Sequence, residues 1–161
     1  MNQNFIFVFI LLITLSIVNA APFQHDKKGI QFKKCEGYPK DAEPDLLTVT
    51  VTPDPIEPGK EETFDISITL KNYNITDGTF LDIGYVDDDT KEGLGFFSLD
   101  ICSKTKCPIE VGSKAGSPYS TTQKFAAPTK LPSKYTISVL QFLNAPDIGI
   151  PYSCAVASIG S

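Results

Sequence analysis

Apolar residues at every second position constrain the fold of this chain more than any other feature of its sequence. In the stretch 64–70 the apolar side chains are Phe64, Ile66, Ile68 and Leu70, and polar residues lie between them. Such alternation puts one set of side chains on a buried face of a β-strand and the other set toward solvent. No stretch shows a sustained 3.6-residue apolar period, and the 12 prolines of the chain would interrupt most helices. The sequence therefore predicts an all-β fold.

Short β-forming stretches separated by turn residues recur along the chain. The predicted strands lie at 46–51, 64–70, 80–86, 94–102, 119–125, 135–139 and 152–159. Two further strands have a clear inward set, namely Leu81, Ile83 and Tyr85 in one and Tyr135, Ile137 and Val139 in the other. The phase of 94–102 is ambiguous because Phe96 and Phe97 are adjacent. Seven or so short strands predict a sandwich or a barrel.

The first 20 residues predict a secretory signal peptide. Residues 5–18 are apolar apart from Thr14 and Ser16, and the run ends in Val18-Asn19-Ala20, which places small residues at the cleavage site. A membrane anchor is the alternative, but this run is shorter than the ~20 residues that span a bilayer. We expect a protein that is secreted or lies in the lumen of the secretory or vacuolar pathway. Its flexible N-terminal segment would be 21–34 and its single domain 35–161.

The four cysteines predict two disulfides, because their number is even and the chain is predicted to be secreted. Three pairings are possible. The spacing favours Cys102–Cys107, which would close a short polar loop, and Cys35–Cys154, which would join the two ends of the domain. A zinc site is the alternative, but no histidine or carboxylate cluster accompanies these cysteines.

Catalytic chemistry is poorly represented, and we predict no enzyme and no cofactor. The single histidine, His25, lies in the predicted flexible segment, so a Ser-His-Asp arrangement is not expected. The acidic run 87–89 lacks the spacing of a calcium loop, and we predict no metal site. A net charge of −5 without a basic stripe argues against nucleic acid. Asn74-Ile75-Thr76 is an N-glycosylation sequon in a predicted turn.

An ordered set of short motifs adds information that composition does not carry. The set comprises Cys35, Asp45-Leu46-Leu47, Thr52-Pro53-Asp54-Pro55, Pro58-Gly59, Thr76-Asp77-Gly78, Asp100-Ile101-Cys102, Cys107-Pro108-Ile109, Leu131-Pro132-Ser133-Lys134-Tyr135-Thr136 and Cys154. From Cys35 onward the chain thereby resembles the ML lipid-recognition family, and most closely its fungal branch of phosphatidylglycerol/phosphatidylinositol transfer proteins. Niemann-Pick-type sterol carriers share this architecture.

The resemblance implies a fold and a function. The fold would be an immunoglobulin-like sandwich of two antiparallel sheets with about 7–8 strands and an apolar cavity between them. The same disulfide pairing, Cys35–Cys154 and Cys102–Cys107, would follow. Without the resemblance, the alternating strands alone predict a closed core. The predicted lipid-binding residues are Phe64, Ile66, Ile68, Leu81, Ile83, Tyr85, Phe96, Phe97, Tyr135, Ile137 and Val139.

Two functions are compatible with this resemblance. The first is a monomeric secreted protein that binds and transfers a phospholipid or a sterol and contacts membranes transiently. The alternative is an extracellular recognition module or secreted effector that presents a lipid to, or itself binds, a receptor. That alternative predicts an exposed apolar patch beside the pocket, and the apolar segment 148–152 is its first candidate.

Overall fold

Two facing β-sheets make up the part of the chain that the structure describes. The structure is a computed structural model that describes residues 29–40, 43–110, 119–143 and 151–160. The predicted signal peptide, His25 and residues 144–150 lie outside these ranges. A 3-10 turn follows the sixth strand at Ile101–Ser103. The described residues include no helix long and apolar enough to cross a membrane.

Nine strands lie in the described ranges, and they confirm the predicted all-β class. They are β1 (Lys33–Lys34), β2 (Asp45–Leu46), β3 (Thr48–Thr52), β4 (Glu61–Ile68), β5 (Thr79–Asp87), β6 (Gly93–Asp100), β7 (Tyr119–Ala126), β8 (Tyr135–Leu143) and β9 (Ser153–Ile159). The six-stranded sheet has the order β1-β9-β8-β5-β6, with β2 also paired to β9. The three-stranded sheet has the order β3-β4-β7. All pairs are antiparallel except that of β2 with β9.

The predicted strand at 46–51 is divided between the two sheets. Leu46 pairs with Cys154 in the six-stranded sheet, whereas Val49 pairs with Ile66 in the three-stranded sheet. Leu47 lies between the two pairings and is 2% exposed. A run of β-forming residues predicts extended backbone, but it does not specify which partner strand each half will pair with.

Lys33 and Lys34 differ from the sequence-based expectation, which placed them in a flexible segment. They pair with Val156 and Ala155 of β9, directly before Cys35. Because Cys35 is bonded to Cys154, the adjacent chain is held beside β9 and its backbone groups can join the ladder. Lysines are common on such edge strands, where their charge discourages pairing with another chain.

Both disulfides have the predicted partners. Cys35–Cys154 spans 119 residues with a Cα–Cα distance of 5.7 Å, and Cys102–Cys107 spans 5 residues with a Cα–Cα distance of 5.6 Å. The first joins the beginning of the domain to β9. The second closes the loop that follows β6.

The core lies between the sheets and consists mainly of the residues whose alternation predicted an inward position. Nine of the predicted lipid-binding residues are at most 5% exposed; they are Phe64, Ile66, Ile68, Leu81, Ile83, Tyr85, Tyr135, Ile137 and Val139. Phe97 is partly buried and packs against this cluster. Phe96 is 72% exposed, so of the two adjacent rings whose phase the sequence left open it does not share the buried position of the other candidates.

The acidic run 87–89 forms the hairpin turn between β5 and β6. Asp87 Oδ1 accepts hydrogen bonds from the backbone N–H groups of Asp89 (2.8 Å) and Thr90 (2.9 Å). These backbone donors hold the pKa of the Asp87 carboxyl below its usual range. Asp88 Oδ1 accepts a hydrogen bond from the Thr136 hydroxyl at 2.7 Å. Two of the three carboxylates are therefore used to fix the turn and to tie it to β8.

Candidate functional site

Aromatic rings gather at one end of the space between the sheets. Phe125 of β7 stacks on Phe64 with ring centroids 5.1 Å apart and on Phe97 of β6 with centroids 5.0 Å apart. Tyr85 meets Phe125 edge-on at 6.4 Å and lies 6.3 Å from Tyr135. We call these five residues the aromatic cluster. It connects both sheets and extends from the core to one open side of the sandwich.

That open side lies between β6 and β7, which are the last strands of their sheets and do not pair with each other. In the described part of the chain, side chains of these two strands meet across it. Phe97 stacks on Phe125 with an interplanar angle of 7°, and both rings are only partly buried. Nearby, a Cβ added to Gly95 would lie 2.9 Å from Cγ of Pro128, so β6 and the chain after β7 touch closely here. Between the described residues of β6 and β7 there is no backbone hydrogen bond, so the contact between these two strands depends on rings that can separate and re-form.

A carboxyl group lies inside the aromatic cluster. Glu62 occupies the position two residues before Phe64 in β4, shares its inward phase and is 0% exposed. The Tyr85 hydroxyl donates a hydrogen bond to Oε2 of Glu62. Oε1 of Glu62 has no hydrogen-bond partner among the described residues. A buried acceptor without a partner is unusual, because its desolvation is not compensated.

Burial also changes the acid–base behaviour of this pair. Loss of solvation raises the pKa of the Glu62 carboxyl, and the hydrogen bond from Tyr85 offsets only part of that rise. The pKa of the Tyr85 hydroxyl is raised by burial and then by its hydrogen bond to Glu62. Tyr135 has a raised pKa as well, first through burial and then through the nearby Glu62 charge. The pair therefore favours its uncharged state.

Phe96 and Phe97 have different environments although they are adjacent. Phe97 pairs with Ile83 and shares its inward direction, whereas Phe96 pairs with Gly84 on the outer face of the six-stranded sheet. A Cβ on Gly84 would lie 4.0 Å from the Phe96 ring and 3.2 Å from the Ser138 hydroxyl oxygen. Phe96 thus covers a glycine from outside and takes no part in the interior.

Two residues of the site were not among the sequence-based candidates. Phe125 ends the predicted strand at 119–125 in the same phase as Tyr119, which is inward and 7% exposed. Glu62 extends the alternation of 64–70 backward by one inward position. Both could have been found by continuing the period-2 pattern. Glu62 was missed because a carboxylate is rarely expected on a buried face.

Three cavities lined by described residues lie away from the interior. One of about 310 Å³ covers the polar outer face of β3, β4 and β7, and one of about 410 Å³ adjoins Cys35. The third, of about 490 Å³, lies between residues 29–33 and the end of β9 and reaches the edge of Tyr135. The predicted cavity between the sheets remains a prediction.

Other sequence-based candidates have the following positions. Asn74 is exposed in the chain between β4 and β5, and its glycosylation remains a prediction. Asp77 lies near the sulfur atoms of Cys102 and Cys107, which are bonded to each other and so are not thiolate ligands. Of the apolar segment 148–152, only Pro151 and Tyr152 are described, and Tyr152 stacks on Tyr73 at 4.3 Å.

Comparison with known proteins agrees with this architecture. A search of curated proteins finds no match. The sequence model of the ML domain matches residues 29–159, which include all nine strands and both disulfides. ML domains are lipid-recognition modules rather than enzymes, and disulfide-containing members are typical of extracellular or secretory-pathway proteins. The chain therefore belongs to the ML domain family and has a fold suited to binding lipid.

Proposed function

We propose that this protein is a secreted lipid carrier that holds one phospholipid or sterol between its two sheets and exchanges it with membranes. The observation that carries the proposal is the side of the sandwich between β6 and β7. There an apolar, aromatic-rich interior is separated from solvent by ring contacts and not by a hydrogen-bonded ladder. The lipid-binding residues would be the predicted inward set without Phe96, together with Phe125.

The energetics of an apolar interior are compatible with such exchange. Each methylene moved from water into the sandwich contributes about 0.8 kcal/mol, without any directional contact. Apart from the hydrogen bond between Tyr85 and Glu62, the apolar contacts between the sheets are of the same non-directional kind. When the sheets part, contacts between side chains can be replaced by contacts with an acyl chain or a sterol ring at comparable burial. Transfer then requires only a membrane that offers the lipid equivalent burial.

Native mass spectrometry of the purified protein tests this proposal directly. We expect a population whose mass exceeds that of the chain by one lipid, and extraction of that lipid with solvent identifies its class. The same sample measured under denaturing conditions is the control and should show the chain mass alone. A protein that stays lipid-free after incubation with phosphatidylglycerol and cholesterol vesicles would contradict the proposal.

A further inference from the structure

A hydrogen-bonding site in the interior is left incomplete by the protein itself. Glu62 presents two carboxyl oxygens in a fully buried position, and Tyr85 occupies only Oε2. The rings around this pair include Phe125, which meets Tyr85 edge-on and supplies no acceptor or donor. Oε1 of Glu62 thus has no hydrogen-bond partner among the described residues. Glu62 pairs across β4 and β7 with Phe125, whose ring stacks on Phe97 at the side between β6 and β7.

We propose that Oε1 of Glu62 is the binding point for a lipid hydroxyl group, so that Glu62 determines which lipids the protein selects. This inference rests on the proposed carrier function and names the polar contact within it. A lipid that enters between β6 and β7 meets the aromatic cluster first, and its hydroxyl would then lie next to Glu62. The apolar remainder of the lipid would extend along the inner faces toward Ile66 and Ile137.

A hydroxyl suits this position better than other lipid groups. It is both a donor and an acceptor, and therefore can pair with Oε1 in either protonation state of the carboxyl. A phosphate group offers only acceptors and carries a charge, so its burial beside Glu62 costs desolvation energy, and repulsion is added whenever the carboxyl is ionised. A hydrocarbon leaves Oε1 without a partner and does not compensate its burial.

Lipid pairs in which one member lacks the hydroxyl groups of the other provide the test. The sterol pair is cholesterol and its 3-deoxy analogue cholest-5-ene. The phospholipid pair is dioleoylphosphatidylglycerol and dioleoylphosphatidylmethanol, which have the same charge but differ in their head-group hydroxyls. Affinity is measured by displacement of a fluorescent lipid from the full-length secreted protein. We expect the hydroxyl-bearing member of at least one pair to bind about 10-fold more tightly, as for sites that lose a buried hydrogen bond.

A double variant and a control variant test whether the preference for a hydroxyl depends on the Glu62 carboxyl. In the double variant Glu62→Leu/Tyr85→Phe both polar groups are removed together, so no buried hydroxyl is left unpaired and the fold should persist. We expect it to bind all four lipids with a hydroxyl preference below about 2-fold. Glu61→Gln is the matched control, because Glu61 is adjacent but exposed and pairs with Lys124 at 3.6 Å. It should retain the preference of the wild-type protein.

The possible outcomes separate this inference from the proposed function. A preference in the sterol pair or in the phospholipid pair supports the inference and identifies the source of the hydroxyl. Equal binding within both pairs, or a preference that survives in the double variant, overturns the inference while leaving the carrier function intact. Failure of the wild-type protein to bind any of the four lipids overturns both.

Discussion

The effect of a buried residue on stability depends on its chemistry, and Glu62 shows this most clearly. Its neighbours in the same strand phase, Phe64 and Ile66, stabilise the interior by leaving water. A carboxylate at the same depth destabilises the fold when it is charged and does so less when it is protonated. The stability of the fold therefore depends on the protonation state of Glu62.

The stability of the protein should depend on pH through Glu62. Burial raises the folded-state pKa of this carboxyl above its ordinary value of 4.5. The folded protein therefore binds the proton more tightly than the unfolded chain does. Stability from this source is fully present below pH 4.5 and is lost as the pH rises through the folded-state pKa. Replacing Glu62 with Gln should remove this decline, because an amide can accept the Tyr85 hydrogen bond without titrating.

Urea denaturation of the wild-type protein and the Glu62→Gln variant between pH 4 and pH 8 measures this difference. The free energy of unfolding of the variant, relative to that of wild type, should increase with pH. Glu61→Gln serves as the control and should follow the wild-type curve. If Glu62→Gln also follows it, the carboxyl does not titrate differently in the folded and unfolded states.

Most interior residues could be predicted from the sequence, because in a strand with one buried face the apolar residues recur at every second position. The three inward sets of β4, β5 and β8 have the predicted phase. Phe96 could not be assigned, since two adjacent aromatic residues fit either face equally well. Its position depends on Gly84 in the neighbouring strand, where the missing side chain leaves room for a ring. That pairing is a tertiary property, which a single strand does not encode.

Among the elements, β6 and β7 border the side of the sandwich through which we propose that lipid enters. Each is the outer strand of its sheet, and each contributes one ring to the stack between Phe97 and Phe125. An aromatic pair of this kind contributes about 0.5–1.5 kcal/mol beyond its buried area. The barrier to parting these strands therefore includes this contact.

Shortening Phe97 should accelerate lipid exchange. Removing the stack with Phe125 in a Phe97→Ala variant should increase the rates of lipid uptake and release about 2- to 10-fold, which corresponds to the energy of one aromatic pair. Stopped-flow fluorescence with vesicles that carry a labelled phospholipid or sterol measures these rates. Phe96→Ala is a matched control, because the same ring is removed one residue away on the outer face. Equal acceleration in both variants would argue against access between β6 and β7.

The stretch 46–51 is divided between the two sheets, and the local sequence does not predict this division. Its composition indicated a strand, and the residues are extended as expected. The change of sheet depends on partners far away in sequence, β9 on one side and β4 on the other. Asp45 fixes the first half, since Oδ2 accepts hydrogen bonds from the backbone N–H groups of Lys71 (3.0 Å) and Asn72 (3.3 Å).

At the scale of the whole molecule, the two disulfides should differ in their contribution to stability. Cys35–Cys154 closes a loop with a separation of 119 residues, and Cys102–Cys107 closes one of 5 residues. In the chain-entropy model these loops correspond to about 5 kcal/mol and about 2 kcal/mol at 25 °C. Chemical denaturation of the paired Cys35→Ala/Cys154→Ala and Cys102→Ala/Cys107→Ala variants tests this order. An equal loss in both would contradict the entropic account for this fold.

Most of the overall architecture could be predicted from the sequence. Alternating strands and an even number of cysteines indicated a disulfide-linked β-sandwich or barrel, and the ordered motifs selected the sandwich. The parallel pairing of β2 with β9 and the short strand β1 were not predicted. Both involve only two residues, so they are too short to leave a periodic signal.

The passage of the chain through Leu47 has a mechanical consequence. This single residue is the shortest covalent link between the two sheets, since the other connections between them run from β4 to β5, from β6 to β7 and from β7 to β8. Rotation of the three-stranded sheet about such a short link would displace its distant edge most. With strands about 4.8 Å apart, β7 lies roughly 10 Å from β3, so a rotation of about 20° would move it by about 3 Å. A small angular change at Leu47 would thus widen the sandwich on the side that Phe97 and Phe125 close, without breaking the ladders within each sheet.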